Sequence, residues 1–192
     1  VYWADQSLFD IFNVPLVQGN PATALSAPYT IIISESMARK YFGNTDPIGR
    51  VIDADNGFLN LTVTAVIEDP QEYAHFHPDF FISVATMEAR IVPGSPFNID
   101  NWLNSNFYTY FLLSPASSPD LVTQKLRERL DEHLSASDKA GIFASQLTLQ
   151  PLTDIHLHSH LQHEMESNGD VTLIWMLTAV GAFILLIACI NF

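Results

Sequence analysis

Residues 171–190 read VTLIWMLTAVGAFILLIACI, and this stretch limits the chain more than any other. It carries no charged side chain, and Thr172 and Thr178 are its only polar interruptions. A helix of this length, at about 1.5 Å per residue, covers roughly 30 Å, the thickness of a bilayer's hydrocarbon core. A helix apolar on every side has no face to offer water, so it crosses a membrane or lies inside a large core. The expectation is a transmembrane helix from Val171 to Ile190. Because Val1 is not a methionine and YWADQSLFDIF reads like the middle of a domain, the chain is expected to be an internal piece of a longer protein, with its span continuing past Phe192. The residues before the span suffice for one domain or two small lobes.

Charge gives the side of the membrane. All eight Lys and Arg residues lie at or before Lys139, so none flanks the span on its N-terminal side. Cytoplasmic flanks usually carry Lys and Arg, which places residues 1–170 outside the cytoplasm. The net charge of −13 excludes a nucleic-acid partner, because nothing here could neutralise a run of phosphates. Cys189, the single cysteine, falls within the span, so no disulfide framework exists.

Between the ends, strand and helix signals alternate. The spacing predicts a short helix at Gln6–Phe12, a turn at 18–21, and a β-branched strand at Tyr29–Ile33. Ser34 is placed to cap a helix carrying Met37, Ala38, Tyr41 and Phe42 on one face and ending at Gly43. Val51–Asp53, a tight turn at Asp55-Asn56-Gly57, and Leu59–Ile67 read as a hairpin; alternation puts Leu59, Leu61, Val63, Ala65 and Ile67 on one face. Phe80–Val84 and Ser83–Ile91 suggest a strand running into a helix. Phe107–Leu113 (FYTYFLL) reads as a strand, Pro119–Leu134 as a helix opened by Ser118 with Val122, Leu126, Leu130 and Leu134 as its apolar stripe, and Gln146–Leu152 as a strand. The fold class is α+β.

Chemistry-bearing motifs are few. Four histidines fall within HLHSHLQH, and on a strand His156, His158 and His160 would share one face able to bind Zn²⁺ or Cu²⁺. A polar membrane-proximal segment with solvated imidazoles explains the same letters. His75 and His77 form a second pair. No H-E-x-x-H, G-x-S-x-G, P-loop or G-x-G-x-x-G occurs, so neither catalysis nor a cofactor is expected within this chain.

Several local patterns then coincide. IIISESMARKYFGNTDPIGRVI (residues 31–52) and LTVTAVIEDPQEYAHFHPDFFIS (residues 61–83) resemble the MacB-like periplasmic core domain of FtsX/MacB-type ABC transporter permeases. The passage from PLTDIHLHSH through NGD to LLIACINF resembles the way such permeases leave the periplasm and enter their second transmembrane helix. The resemblance implies a two-lobed domain over residues 1–170, with an inserted lobe near 28–104 and a membrane-proximal lobe built from about 1–27 plus 105–170, followed by a truncated span over 171–192. It implies a bacterial inner-membrane permease working beside a cytoplasmic ABC ATPase, fused or separate, and a second permease copy, with a periplasmic adaptor as a candidate partner. ATP-driven motion would reach the periplasmic domain by mechanotransmission, in efflux or an envelope process, through the junction at Gly169. Tyr73, Phe76, Phe97 and Trp102 are candidate partner contacts, with core packing the competing account. Two other readings stay open: an anchored extracytoplasmic sensor or ligand-binding domain, and a metal-binding envelope protein using the histidine cluster.

Overall fold

The computed structural model describes residues 1–54, 57–71, 74–91, 107–134, 147–159, 164–166 and 168–191. The run Thr30–Ser34, β3, organises the fold. Its three consecutive isoleucines suit a strand covered on both faces, and all five residues are buried. On one side β3 pairs antiparallel with β6 (Phe80–Ser83), which pairs parallel with β1 (Tyr2–Ala4). On the other side it pairs parallel with the long β5 (Leu59–Ile67). The free edge of β5 is shared: β4 (Val51–Ala54) pairs antiparallel with residues 59–62, and β2 (Leu16–Gly19) with residues 65–67. The result is a mixed six-stranded sheet in the order β1-β6-β3-β5-β2, with β4 beside β2 on the far edge of β5.

A bulge inside β5 changes which side chains face where. Ile31 pairs with Val63 but Ile32 with Ala65, so Thr64 is the extra residue. Its hydroxyl donates to the carbonyls of Ala24 at 2.7 Å and Ile31 at 3.3 Å. Simple alternation puts residues 59 to 67 of odd number on one face. Instead Leu59, Leu61, Val63 and Val66 pack on one face with Ile31, Ile33 and Ile82, whereas Ala65 and Ile67 turn to the other with Ile32 and Phe81. An extra residue reverses the parity of every side chain after it. Across the strand, Gly19 (φ 105°) lies against the bulge so closely that a Cβ there would stand 2.5 Å from the Thr64 carbonyl oxygen.

Each face has its own cover. The helix α1 (Leu8–Ile11) and the 20–27 loop bring Leu8, Ala24 and Leu25 to one face. The helix α2 (Glu35–Phe42) brings Met37, Ala38 and Phe42 to the other. Ser34 caps α2 as expected, accepting from the Met37 N–H at 3.4 Å, and a second cap comes from outside the helix: Asp69 accepts from the Ser36 N–H at 2.8 Å and from Arg39 at 3.2 Å. Gly43 ends α2 at φ 61°. The helix α3 (Ala85–Arg90) follows β6 directly.

Beyond the sheet, α4 spans Pro119–His133 with Ser118 at its N-cap. Its Arg127 guanidinium donates twice to the Leu147 carbonyl, at 2.7 and 3.0 Å. Two expected strands are absent among the described residues. Residues 107–113 belong to no ladder among the described residues, because β-propensity measures fit to a pleated surface and a ladder also needs a neighbour. Residues 147–150 are irregular, and Pro151 instead opens the helix α5 (Leu152–His158); Gln146 lies outside the described residues. The expected turn at 18–21 starts later, since Gln18 and Gly19 are the end of β2.

The final helix, α6, runs from Val171 to Asn191, with no residue buried against the rest of the chain. The α+β class is what the structure shows. β1 and β2 come from residues 1–27 yet lie in the same sheet as the strands drawn from 28–104. Part of the first segment is therefore integral to the sheet.

Candidate functional site

After β5 the chain turns at Pro70 and returns to β6 through His75-Phe76-His77. Phe76 anchors this return in the core, edge-on to Phe12 (centroids 5.0 Å apart) and Phe81 (5.9 Å), with Tyr2 at 6.4 Å. With the middle residue held, the flanking imidazoles reach two neighbouring segments. His75 Nε2 lies 2.6 Å from the Tyr110 hydroxyl, and the same hydroxyl lies 3.1 Å from the Met165 sulfur. His77 Nδ1 lies 3.3 Å from Glu166 Oε1, while its Nε2 is 3.0 Å from the Gln71 carbonyl. Both His77 nitrogens thus face acceptors, an arrangement satisfied by the doubly protonated ring. Tyr110 has one proton for two candidate acceptors. When it donates to His75 the sulfur waits; when His75 Nε2 carries a proton, Tyr110 accepts it and donates to Met165.

Burial governs the ionisation of this cluster. It pushes the Tyr110 phenol up to about 12, with Tyr108, Glu164 and Tyr2 adding to the effect. Burial also raises Tyr2, helped by the charge of Glu166. It holds the His75 imidazole below its ordinary value, against the opposing pull of Glu164 and Glu166. Glu166 therefore joins the segment before α6 to the β5–β6 return through His77, and its charge is felt by Tyr2 of β1. An apolar cleft of about 480 Å³ lies beside these contacts, lined among others by Tyr2, Trp3, Phe12, Phe107, Tyr110 and Met165.

From Glu164 the contacts continue to α6. The Ser159 hydroxyl donates to Glu164, and the Asn168 amide donates to the Ser159 carbonyl at 3.2 Å. The Gly169 N–H donates to the His156 carbonyl at 2.8 Å, closing α5 against the residues just before α6. A Cβ on Gly169 would stand 3.2 Å from Leu157 Cδ2, so glycine permits the close approach. Asp170 then caps α6, accepting from the Thr172 N–H at 2.7 Å. An unbroken series of side-chain and backbone contacts thus runs from the sheet to the first turn of α6. Its groups hold one another in position.

The site residues singled out in the sequence fare differently. His156 and His158 sit on α5, where a two-residue step turns about 200°, so they do not share the strand face that metal binding required. His160 lies outside the described residues, and among the described residues no group of three or more His, Cys, Asp or Glu side chains is placed to hold a metal ion. Phe76 is a core anchor packed against the sheet. Tyr73, Phe97 and Trp102 lie outside the described residues. Sequence reasoning missed Tyr110 and Met165; Glu164 and Glu166 were noted only as acids that follow the histidine cluster. The signals that could have found them were an aromatic between two histidines, and a tyrosine in an otherwise strand-like run.

Comparison with known proteins bears on the same unit. The sequence profile of the MacB-like periplasmic core domain matches residues 1–129. Among solved structures, a domain from a candidate permease protein of Porphyromonas gingivalis is 27% identical, with a TM-score of 0.53, over 69% of this chain and 58% of that one. The periplasmic region of MacB from Actinobacillus actinomycetemcomitans is 15% identical at a TM-score of 0.43, over 67% of this chain and 53% of that one. The extracellular domain of the ABC-type transporter YknZ from Gram-positive bacteria is 20% identical at a TM-score of 0.34, over 45% and 43%. The chain thus spans a little over half the length of the first two. No curated protein matches the sequence.

Proposed function

The chain belongs to the MacB-like periplasmic core domain family, and on that premise we propose that it is the non-catalytic extracytoplasmic part of an ABC transporter permease, coupling ATP hydrolysis in the cytoplasm to displacement of its sheet. The observation that carries this reading is the continuous contact path. Gly169 and Asn168 join α6 to α5, Glu164 and Glu166 leave that joint, and Tyr110 with His75 and His77 completes the connection to the sheet. Interfaces packed this way move as discrete bodies, so a shift of a membrane helix is delivered to the periplasm without local chemistry.

In this account α6 is one span of an inner-membrane permease, and residues 1–170 face the periplasm. The energy source is a cytoplasmic ABC ATPase, fused or separate, and a second permease copy supplies the surface against which the sheet moves. A periplasmic adaptor is a further candidate partner, and the process is efflux or another envelope task. The lobe division, 28–104 inserted in 1–27 plus 105–170, belongs to the same proposal, amended to leave β1 and β2 with the sheet. No cofactor of the chain's own is required.

The test is to insert a flexible glycine-serine linker after Asn168 in the intact permease. ATP hydrolysis by the assembled complex is expected to persist while transport or the envelope phenotype is lost. Full function with the linker in place would overturn the proposal.

A further inference from the structure

The apolar cleft beside the Tyr110 contacts runs along β1, the strand that ends the sheet. Tyr2, Trp3 and Phe12 line it from the sheet side, and Phe107, Tyr108 and Met165 from the chain beyond the sheet. We propose that this cleft is a binding site for a small organic cation, of the class of an aromatic or alkyl quaternary ammonium, held by ring faces and by the carboxylate of Asp5.

Shape comes first. A volume of about 480 Å³ is within the range of clefts that enclose small molecules. Phe12 and Tyr110 already stand edge-on to each other at 5.0 Å, so much of their π surface is spoken for. Trp3 and Phe107 are different: they are 36% and 41% exposed, and neither is in contact with another ring among the described residues. An open ring face carries the negative side of the aromatic quadrupole and attracts a cation. A quaternary ammonium also has no N–H to satisfy, and its alkyl groups suit apolar walls.

Charge comes second. Asp5 lines the cleft, and no Lys, Arg or His side chain does so among the described residues. The Asp5 carboxylate accepts from the Ser7 N–H at 2.8 Å and from the Ser7 hydroxyl; these bonds orient it and leave its negative charge in place. Two more carboxylates act on the lining rings. The charge of Glu166 reaches Tyr2, and that of Glu164 reaches Tyr110. Glu166 shares its charge with His77, 3.3 Å away, but that imidazole is not part of the wall. A cleft with walls of low polarity and charge of one sign focuses its field on the opposite sign. The arrangement therefore favours a cation over an anion of equal size.

The probe is phenyltrimethylammonium, with benzenesulfonate as the anion of similar shape. Both are titrated calorimetrically into the full chain, with α6 held in a non-ionic detergent and the amino terminus acetylated so that no ammonium on Val1 competes. The cation is expected to bind at least about tenfold more tightly than the anion. Asp5→Asn keeps an oxygen for Ser7 and should weaken the cation about threefold. Trp3→Leu and Tyr108→Leu should each weaken it about fivefold, the loss of one cation–π contact. Phe58→Leu removes an exposed ring outside the cleft and should leave the affinity unchanged. Slow exchange of the Ile31–Ile33 amides in every variant verifies that the sheet is intact. Equal affinity for the two probes, no binding of the cation at about 10 mM, or cation affinity that survives both the Trp3 and Tyr108 substitutions would overturn the proposal.

Discussion

The Tyr110 hydroxyl lies 2.6 Å from Nε2 of His75, and the same oxygen lies 3.1 Å from the Met165 sulfur. One side chain thus touches both the return into β6 and the approach to α6. Tyr110→Phe keeps the ring edge-on to Phe12 and removes only the hydroxyl. Losing one hydrogen bond at a half-buried site is expected to lower stability by about 1 kcal/mol. Tyr110→Ala, which also empties the ring's place, should lower it by about 3 kcal/mol. Urea unfolding of the two variants beside the parent measures both. Equal, negligible effects would show that the contact bears no load.

The ionisation of His75 gives a pH prediction. Burial holds its folded pKa below the ordinary 6.5, so in the window beneath 6.5 the unfolded chain binds the proton that the folded chain refuses. Its contribution is fully present above 6.5 and is lost as the pH falls through the folded value. His75→Gln should therefore narrow its stability gap to the parent as the pH drops from 7.5 towards 5. Denaturation midpoints across that range check it; a constant gap would mean that His75 does not titrate differently on folding.

Asp69 gives the opposite group with the same sign. Burial alone would raise its carboxyl, but hydrogen bonds from the Ser36 N–H and the hydroxyls of Ser36 and Ser34, with the Arg39 charge, outweigh it and hold the carboxyl below its ordinary 3.8. That stability is present above 3.8 and lost as the pH falls through the folded value. Asp69→Ala should cost about 1 kcal/mol at pH 7, as loss of a helix cap does, and close to nothing near pH 2. Thermal melts at the two pH values separate this from a packing defect, which would cost the same at both.

The local signals were legible where one segment decides its own conformation. Ser34, Gly43 and the apolar face between them defined α2, Ser118-Pro119 opened α4, and the uncharged run from Val171 defined α6. What could not be read depended on a partner. FYTYFLL has strand residues but no ladder among the described residues. The 146–152 alternation gave way to Pro151, whose fixed φ suits a helix start. Likewise, HLHSH alternates in the letters, but alternation on a helix carries His156 and His158 apart. The parity of β5 changed at Thr64 because a bulge is a property of two strands in register. Tyr110, Met165 and Glu166 come from segments far from His75 and His77 in sequence, so only folding brings them together.

Gly19 tests that bulge. Its φ of 105° and the 2.5 Å separation between a Cβ and the Thr64 carbonyl oxygen leave no room for a side chain. Gly19→Ala is expected to cost about 3 kcal/mol by combining backbone strain with overpacking. Gly57→Ala is the comparison: it also has positive φ, at 85°, but nothing lies within 4 Å of its Cβ position, so its cost should be nearer 1 kcal/mol. Matching losses in thermal stability would remove the close approach as the cause.

The central claim is that the sheet and α6 are displaced together. Spin labels at Lys40→Cys on α2 and Thr172→Cys at the start of α6, with Cys189→Ser to remove the native thiol, allow the distance between them to be measured by electron–electron dipolar spectroscopy in the intact permease. The account predicts one narrow distance distribution that is the same with and without ATP. It also predicts that the distribution broadens in the variant carrying a flexible linker after Asn168. A distance that changes on ATP binding in the linker-free protein would contradict it.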